Sequence, residues 1–155
     1  MPTYAEDRAE IEDLMARYLF ALDWGDGDAY AACFTEDGGI DWARETTVGR
    51  PALAAMCNGF AAAMENIMGK GVPHRHFLSH VAVTVNGDEA QARAAWFEAA
   101  RRDDGFGKAS FGHYEDHLVR VDGRWLFRRR KIYNEFLPGR SAGQANPAME
   151  EGMKR

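Results

Sequence analysis

No stretch of the chain approaches the ~20 consecutive apolar residues of a membrane-spanning helix, so the sequence predicts a soluble protein. With Cys33 and Cys57 its only cysteines, it lacks a disulfide framework and a multi-cysteine metal centre. Both sit among apolar neighbours in segments with helical periodicity and are expected to be buried, reduced thiols. There is no surplus of positive charge: 24 acidic against 19 basic residues give −5, which argues against a nucleic-acid surface. The one basic run, Arg128-Arg129-Arg130-Lys131, would alternate between two faces of a strand and forms no single patch. Repeats and low-complexity tracts are lacking. So is a basic-then-apolar export signal, since Glu6 and Asp7 precede any apolar run, and a cytoplasmic location is expected.

What is present suits one domain over residues 1–137, long enough to bury about two thirds of its unfolded surface. A tail over residues 138–155, bearing Gly139, Ser141, Gly143 and Pro147, is expected to be flexible or packed on a neighbouring subunit. Ile11, Leu14, Met15, Tyr18, Leu19 and Leu22 recur at helical spacing and predict an amphipathic helix over residues 10–23. Gly25-Asp26-Gly27-Asp28 breaks it and offers Asp26 or Asp28 as the cap of a shorter helix through Phe34, which Thr35-Glu36-Asp37-Gly38-Gly39 ends. Residues 40–48 have room for short strands, and Pro51 opens a third helix with Leu53, Met56, Phe60 and Met64 on one stripe. Beyond Gly71 the period falls to two, with strands expected over residues 77–85, 90–101, 109–121 and 124–136. Asn86-Gly87-Asp88, Asp103-Asp104-Gly105 and Asp122-Gly123 join them as hairpins. Helices followed by a curled antiparallel meander make the fold class α+β.

Asp23 ends a helix whose apolar face points inward, where the helix dipole opposes a carboxylate, so either the following turn or a partner must hold it. Of the five histidines, His74, His76 and His80 open one strand while His113 and His117 lie on another. No three of them converge at metal-ligand spacing, and no metal is expected. His76 is a candidate base where a carboxylate fixes its tautomer. Strict alternation, however, puts Phe77, Val81, Val83 and Val85 on one face and His76 on the other, so a bulge or bend is needed for both to face one core. Arg130, between Phe127 and Ile132, needs an acceptor, either a carboxylate or a substrate oxygen. Trp42, Trp96, Phe97 and Tyr114 are large aromatics that can line an apolar pocket.

In order and spacing these features resemble the SnoaL-like branch of the nuclear transport factor 2-like superfamily over residues 11–137. The carriers are Tyr18…Asp23, Phe34-Thr35-Glu36-Asp37-Gly38, Val48-Gly49-Arg50, His76 at a strand opening, and Tyr114…Asp122-Gly123-Arg124-Trp125…Arg130. Within it the chain is similar to scytalone dehydratase, bile-acid dehydratase and hexachlorocyclohexane dehydrochlorinase, which carry out cofactor-free eliminations driven by a histidine. The resemblance implies His76 as base, Asp23 as its orienting carboxylate, Arg130 as a pocket arginine, Tyr18 as an assisting donor, and Ile40 or Trp42 as lining from the short strands. It implies a cone-like curled sheet wrapped around the N-terminal helices, and a lyase of dehydratase type, without cofactor, acting on a small hydrophobic cyclic or aromatic substrate. Isomerisation or carbon-carbon cleavage by the same pair, and a non-catalytic module binding a hydrophobic ligand or another subunit, are the alternatives. An epoxide hydrolase would need a second acid, for which Asp116 near Arg130 is the candidate. An open curled sheet also predicts a homodimer or homotrimer.

Overall fold

The structure, a computed structural model, describes residues 2–42, 45–102 and 105–136; the expected tail and the Asp103-Asp104 turn lie outside the described residues. Helix α1 runs Tyr4–Trp24, starting about two turns before its apolar stripe. Thr3 and Glu6 form a capping box there, which satisfies donors that hydrophobic spacing cannot reveal. Gly25, at φ 67°, ends the helix in the left-handed region. Helix α2 (Gly27–Ala32) is capped by Asp26, whose carboxylate accepts from the Ala29 N–H at 3.0 Å. Helix α3 (Arg50–Met68) begins with Pro51 in its first turn, as the sequence predicts.

One expectation fails between α2 and α3. Thr35 to Gly39, read above as a helix stop, belongs to strand β1 (Phe34–Trp42), which turns back into β2 (Glu45–Val48). The glycines serve close approach rather than a turn: a Cβ on Gly38 would lie 2.9 Å from the Phe127 carbonyl oxygen, and one on Gly39 2.8 Å from that of Thr47. Strands β3 (His74–Asn86), β4 (Glu89–Arg102), β5 (Gly105–Val121) and β6 (Arg124–Asn134) follow as an antiparallel meander. The six strands form one curled, unclosed sheet in the order β2-β1-β6-β5-β4-β3, and the β1–β6 pair is parallel. No helix of the described residues is long and apolar enough to cross a membrane.

The core lies in the hollow of this sheet. Ile11, Leu14, Met15 and Tyr18 of α1 and Leu53 and Cys57 of α3 are all fully buried against Phe34, Leu118, Trp125 and Phe127. The Asp122-Gly123 hairpin docks on α1: Trp125 donates its indole N–H to Asp7 at 3.1 Å and its backbone N–H to Glu10 at 2.9 Å.

Two bulges set what the hollow contains. On β3, Ser79 pairs with Ala95 but Ala82 with Arg93, so one extra residue separates them, and His80 takes φ 53°. Before it the even-numbered residues face inward, with His74, His76 and Leu78 opposite Ala100, Glu98 and Trp96. After it the odd ones do, and Val83 is buried. The conflict between His76 and the valines is thereby resolved by one inserted residue. A matching shift on β6, between Phe127 and Arg129, turns Arg130 inward although Trp125 and Phe127 also face in.

Candidate functional site

Asp23, at the end of α1, is not used by the turn behind it, because Asp26 caps α2. Its carboxylate clamps His76 instead. Oδ1 accepts from the ring Nδ1–H at 2.6 Å and Oδ2 from the His76 backbone N–H at 2.9 Å. Both side chains are over nine-tenths buried, and the carboxylate fixes the proton on Nδ1, which leaves the lone pair on Nε2.

His76 lines an apolar cavity of about 90 Å³ together with Tyr18, Leu22, Tyr30, Ile40, Trp42, Met56, Cys57, Phe60, Trp96, Glu98, Tyr114, Ile132 and Asn134. Five of the residues expected around a pocket, Tyr18, Ile40, Trp42, Trp96 and Tyr114, therefore meet His76 in one space. Tyr18 accepts a hydrogen bond from the Tyr30 hydroxyl at 3.0 Å. Burial pushes the Tyr18 phenol up, against the lowering effects of Arg130 and Tyr30, so it stays protonated as a donor. Cys57 borders the cavity, but burial raises its thiol to about 11, which keeps it from acting as a nucleophile.

Two expected site residues are elsewhere. Phe97 follows the inward Trp96 on the same strand, so it points out of the sheet, where it is 43% exposed. Arg130 faces inward but is not among the residues lining this cavity. It is fully buried, its guanidinium bound by both Asp116 oxygens at 2.7 Å and stacked 4.1–4.2 Å from the ring centres of Tyr18, Tyr114 and Phe127. Burial opposes its charge and the Asp116 carboxylate outweighs it, so its pKa is raised. Arg130 thus supports Tyr18 and Tyr114 from beneath, with its Nη1 left without a hydrogen-bond partner. The Asp116–Arg130 pair that an epoxide hydrolase would need is present, but Asp116 too is 2% exposed and outside the cavity.

Three polar groups of the cavity escaped the sequence reading, Tyr30, Glu98 and Asn134. Glu98 sits across from His76 in the β3–β4 register and is 6% exposed. Its Oε1 accepts from His74 Nε2 and its Oε2 from the Ser110 hydroxyl, each at 2.6 Å. Burial would raise the carboxyl, but these two bonds and the neighbouring imidazoles hold it at about 2. The signal was parity: Glu98 continues the inward series Ala92, Ala94, Trp96, where a charge demands a partner.

Donor atoms of Asp23, His74 and His76 all lie within 4.8 Å of one another, the set that comes nearest to a metal site among the described residues. Within that set Asp23 holds His76 Nδ1, and Glu98 from outside it holds His74 Nε2, each at 2.6 Å, which leaves the other nitrogen of each ring without a bond to either carboxylate.

Residues 3–131 match the SnoaL-like domain. Among solved structures, the chain is 33% identical to a nuclear transport factor 2-like protein with a cystatin-like fold from Novosphingobium aromaticivorans, covering 87% of this chain and 84% of that one at a TM-score of 0.71. It is 28% identical to a Mycobacterium tuberculosis protein of unknown function, over 95% and 82% of the two chains (TM-score 0.73). A provisionally named scytalone dehydratase from N. aromaticivorans is 26% identical over 94% and 95% (TM-score 0.69). Comparison with curated proteins gives no match.

Proposed function

This chain belongs to the SnoaL-like domain family, and we propose that it is a cofactor-independent lyase of dehydratase type acting on a small, hydrophobic cyclic or aromatic substrate. The observation that carries this reading is the 2.6 Å Asp23–His76 bond on a histidine that lines an aromatic cavity. The likeness to a provisionally named scytalone dehydratase agrees with it.

In the reaction, His76 Nε2 takes a proton from a substrate carbon, and the resulting imidazolium is stabilised by Asp23. The electron pair of the broken C–H bond becomes the new double bond as the neighbouring C–O bond breaks. Tyr18 donates a hydrogen bond to the departing oxygen and remains a phenol, since burial raises its pKa. His76 then returns its proton to that oxygen, and water leaves. Proton and electron counts close without an added oxidant or reductant. Returning the proton to a second carbon would give isomerisation, which is the second reading of the same pair.

The test is incubation with neutral cyclic β-hydroxy ketones in deuterated water, followed by mass spectrometry. Loss of one water supports the lyase, and deuterium uptake without that loss supports the isomerase. Neither change on any substrate that binds would leave only the ligand-binding module.

A further inference from the structure

Glu98 is a second carboxylate in the cavity, and the elimination proposed above does not use it. It is built in with care: cross-strand from His76, over nine-tenths buried, and tied by His74 and Ser110 through different oxygens. A carboxylate has about four lone-pair positions, and two hydrogen bonds fill half of them. The remainder can only accept. No lysine or arginine is among the residues lining the cavity, and the buried Arg130 is bound to Asp116. A fixed carboxylate in an apolar cavity lined by no lysine or arginine rewards a ligand that brings a hydrogen-bond donor and repels one that brings a second carboxylate, whereas the donors that do line it, the Tyr18 hydroxyl and the unpartnered Trp96 indole N–H, are uncharged.

We infer that Glu98, positioned by His74 and Ser110, is the specificity-determining residue of this cavity, binding the hydroxyl of a neutral substrate and rejecting substrates that carry a carboxylate. This deepens the lyase reading and rests on it for the word substrate, although the selectivity itself concerns binding alone. The substrate class it names is a neutral ring bearing a hydroxyl. The class of reaction that supplies such a compound leaves a ring hydroxyl without adding an acid group.

Binding separates this inference from the chemistry. In a His76→Ala background, affinities for phenol, toluene and benzoate are measured by quenching of tryptophan fluorescence, since Trp42 and Trp96 border the cavity. Phenol is expected to bind about tenfold or more tighter than toluene, the size of a charge-assisted hydrogen bond, and benzoate weakest. Adding Glu98→Gln should shrink the preference for phenol and admit benzoate. Ser110→Ala, which frees one carboxylate oxygen while keeping the charge, should retain the exclusion of benzoate and guards against a folding defect in the first variant. Benzoate binding as well as phenol, no binding of phenol, or a preference unchanged by Glu98→Gln would overturn the inference. Selectivity as expected with no turnover by the unaltered protein would instead remove the lyase reading and leave this one standing.

Discussion

Asp23 holds His76 at two points, taking the ring Nδ1–H at 2.6 Å and the backbone N–H of the same residue at 2.9 Å. A carboxylate that bonds only the ring fixes a tautomer; one that also bonds the backbone fixes where the strand begins relative to helix α1. The pair thus orients the base and joins the helix to the sheet. Asp23→Asn should therefore weaken both functions, lowering turnover and reducing the melting temperature, whereas His76→Gln keeps the backbone bond and should lower turnover with a smaller change in melting.

The inserted residue on β3 gives a second prediction. His80 at φ 53° sits where L side chains pay steric strain and a β-branched one pays most. His80→Gly should be close to neutral in urea denaturation, and His80→Val should cost about 1–2 kcal/mol. Deleting His80 restores strict alternation, so either His76 or Val83 must leave the interior, and turnover should be lost.

The buried Arg130–Asp116 pair supports the floor of the cavity. Asp116→Asn leaves the guanidinium without its counter-charge and should cost about 3–5 kcal/mol. Replacing both, as Arg130→Met with Asp116→Leu, should cost less than the single change. Chemical denaturation of the three variants checks this, and a double variant less stable than Asp116→Asn would contradict it.

Glu98 sets a pH response. Its carboxyl titrates near 2 in the folded chain against an ordinary 4.5, so the unfolded state binds the proton more readily. Its contribution to stability is complete above about pH 4.5 and fades as pH falls towards 2. Melting temperatures across that window should fall more steeply for the unaltered protein than for Glu98→Gln.

Phe77, Phe97 and Phe111 are cross-strand neighbours on the outer face, each between 43% and 58% exposed. Beside them Arg93 and Glu115 lie 3.6 Å apart, a paired charge at the border of the apolar patch that a second copy can cover. We propose that this face packs against a second copy of the chain. Light scattering should give a dimer that Phe97→Lys converts to monomer; a monomeric unaltered protein would contradict it.

Much of this was legible from residue order. The helical stripe of α1, the Gly87 and Asp122-Gly123 turns and the period-two strands lead directly to an α+β meander, because each is a local signal. The parallel β1–β6 pairing was not legible, since Gly38 and Gly39 resemble a turn until β6 is placed against them. Parity explains the rest. One extra residue on β3 and one on β6 decide that His76 and Arg130 face inward, and no composition signal marks either insertion. Phe97 beside Trp96 was the reverse case: alternation alone places only one of the two inside. Glu98 was readable as a charge on the buried parity of β4, but its partners His74 and Ser110 come from other strands.

The central claim is that His76, held by Asp23, moves the substrate proton. Its most direct test is the rate of water loss from a hydroxylated substrate by His76→Ala, with circular dichroism to verify the fold. Loss of a positioned base should slow the reaction ~100- to 10,000-fold while binding persists. A rate equal to that of the unaltered protein would contradict the account.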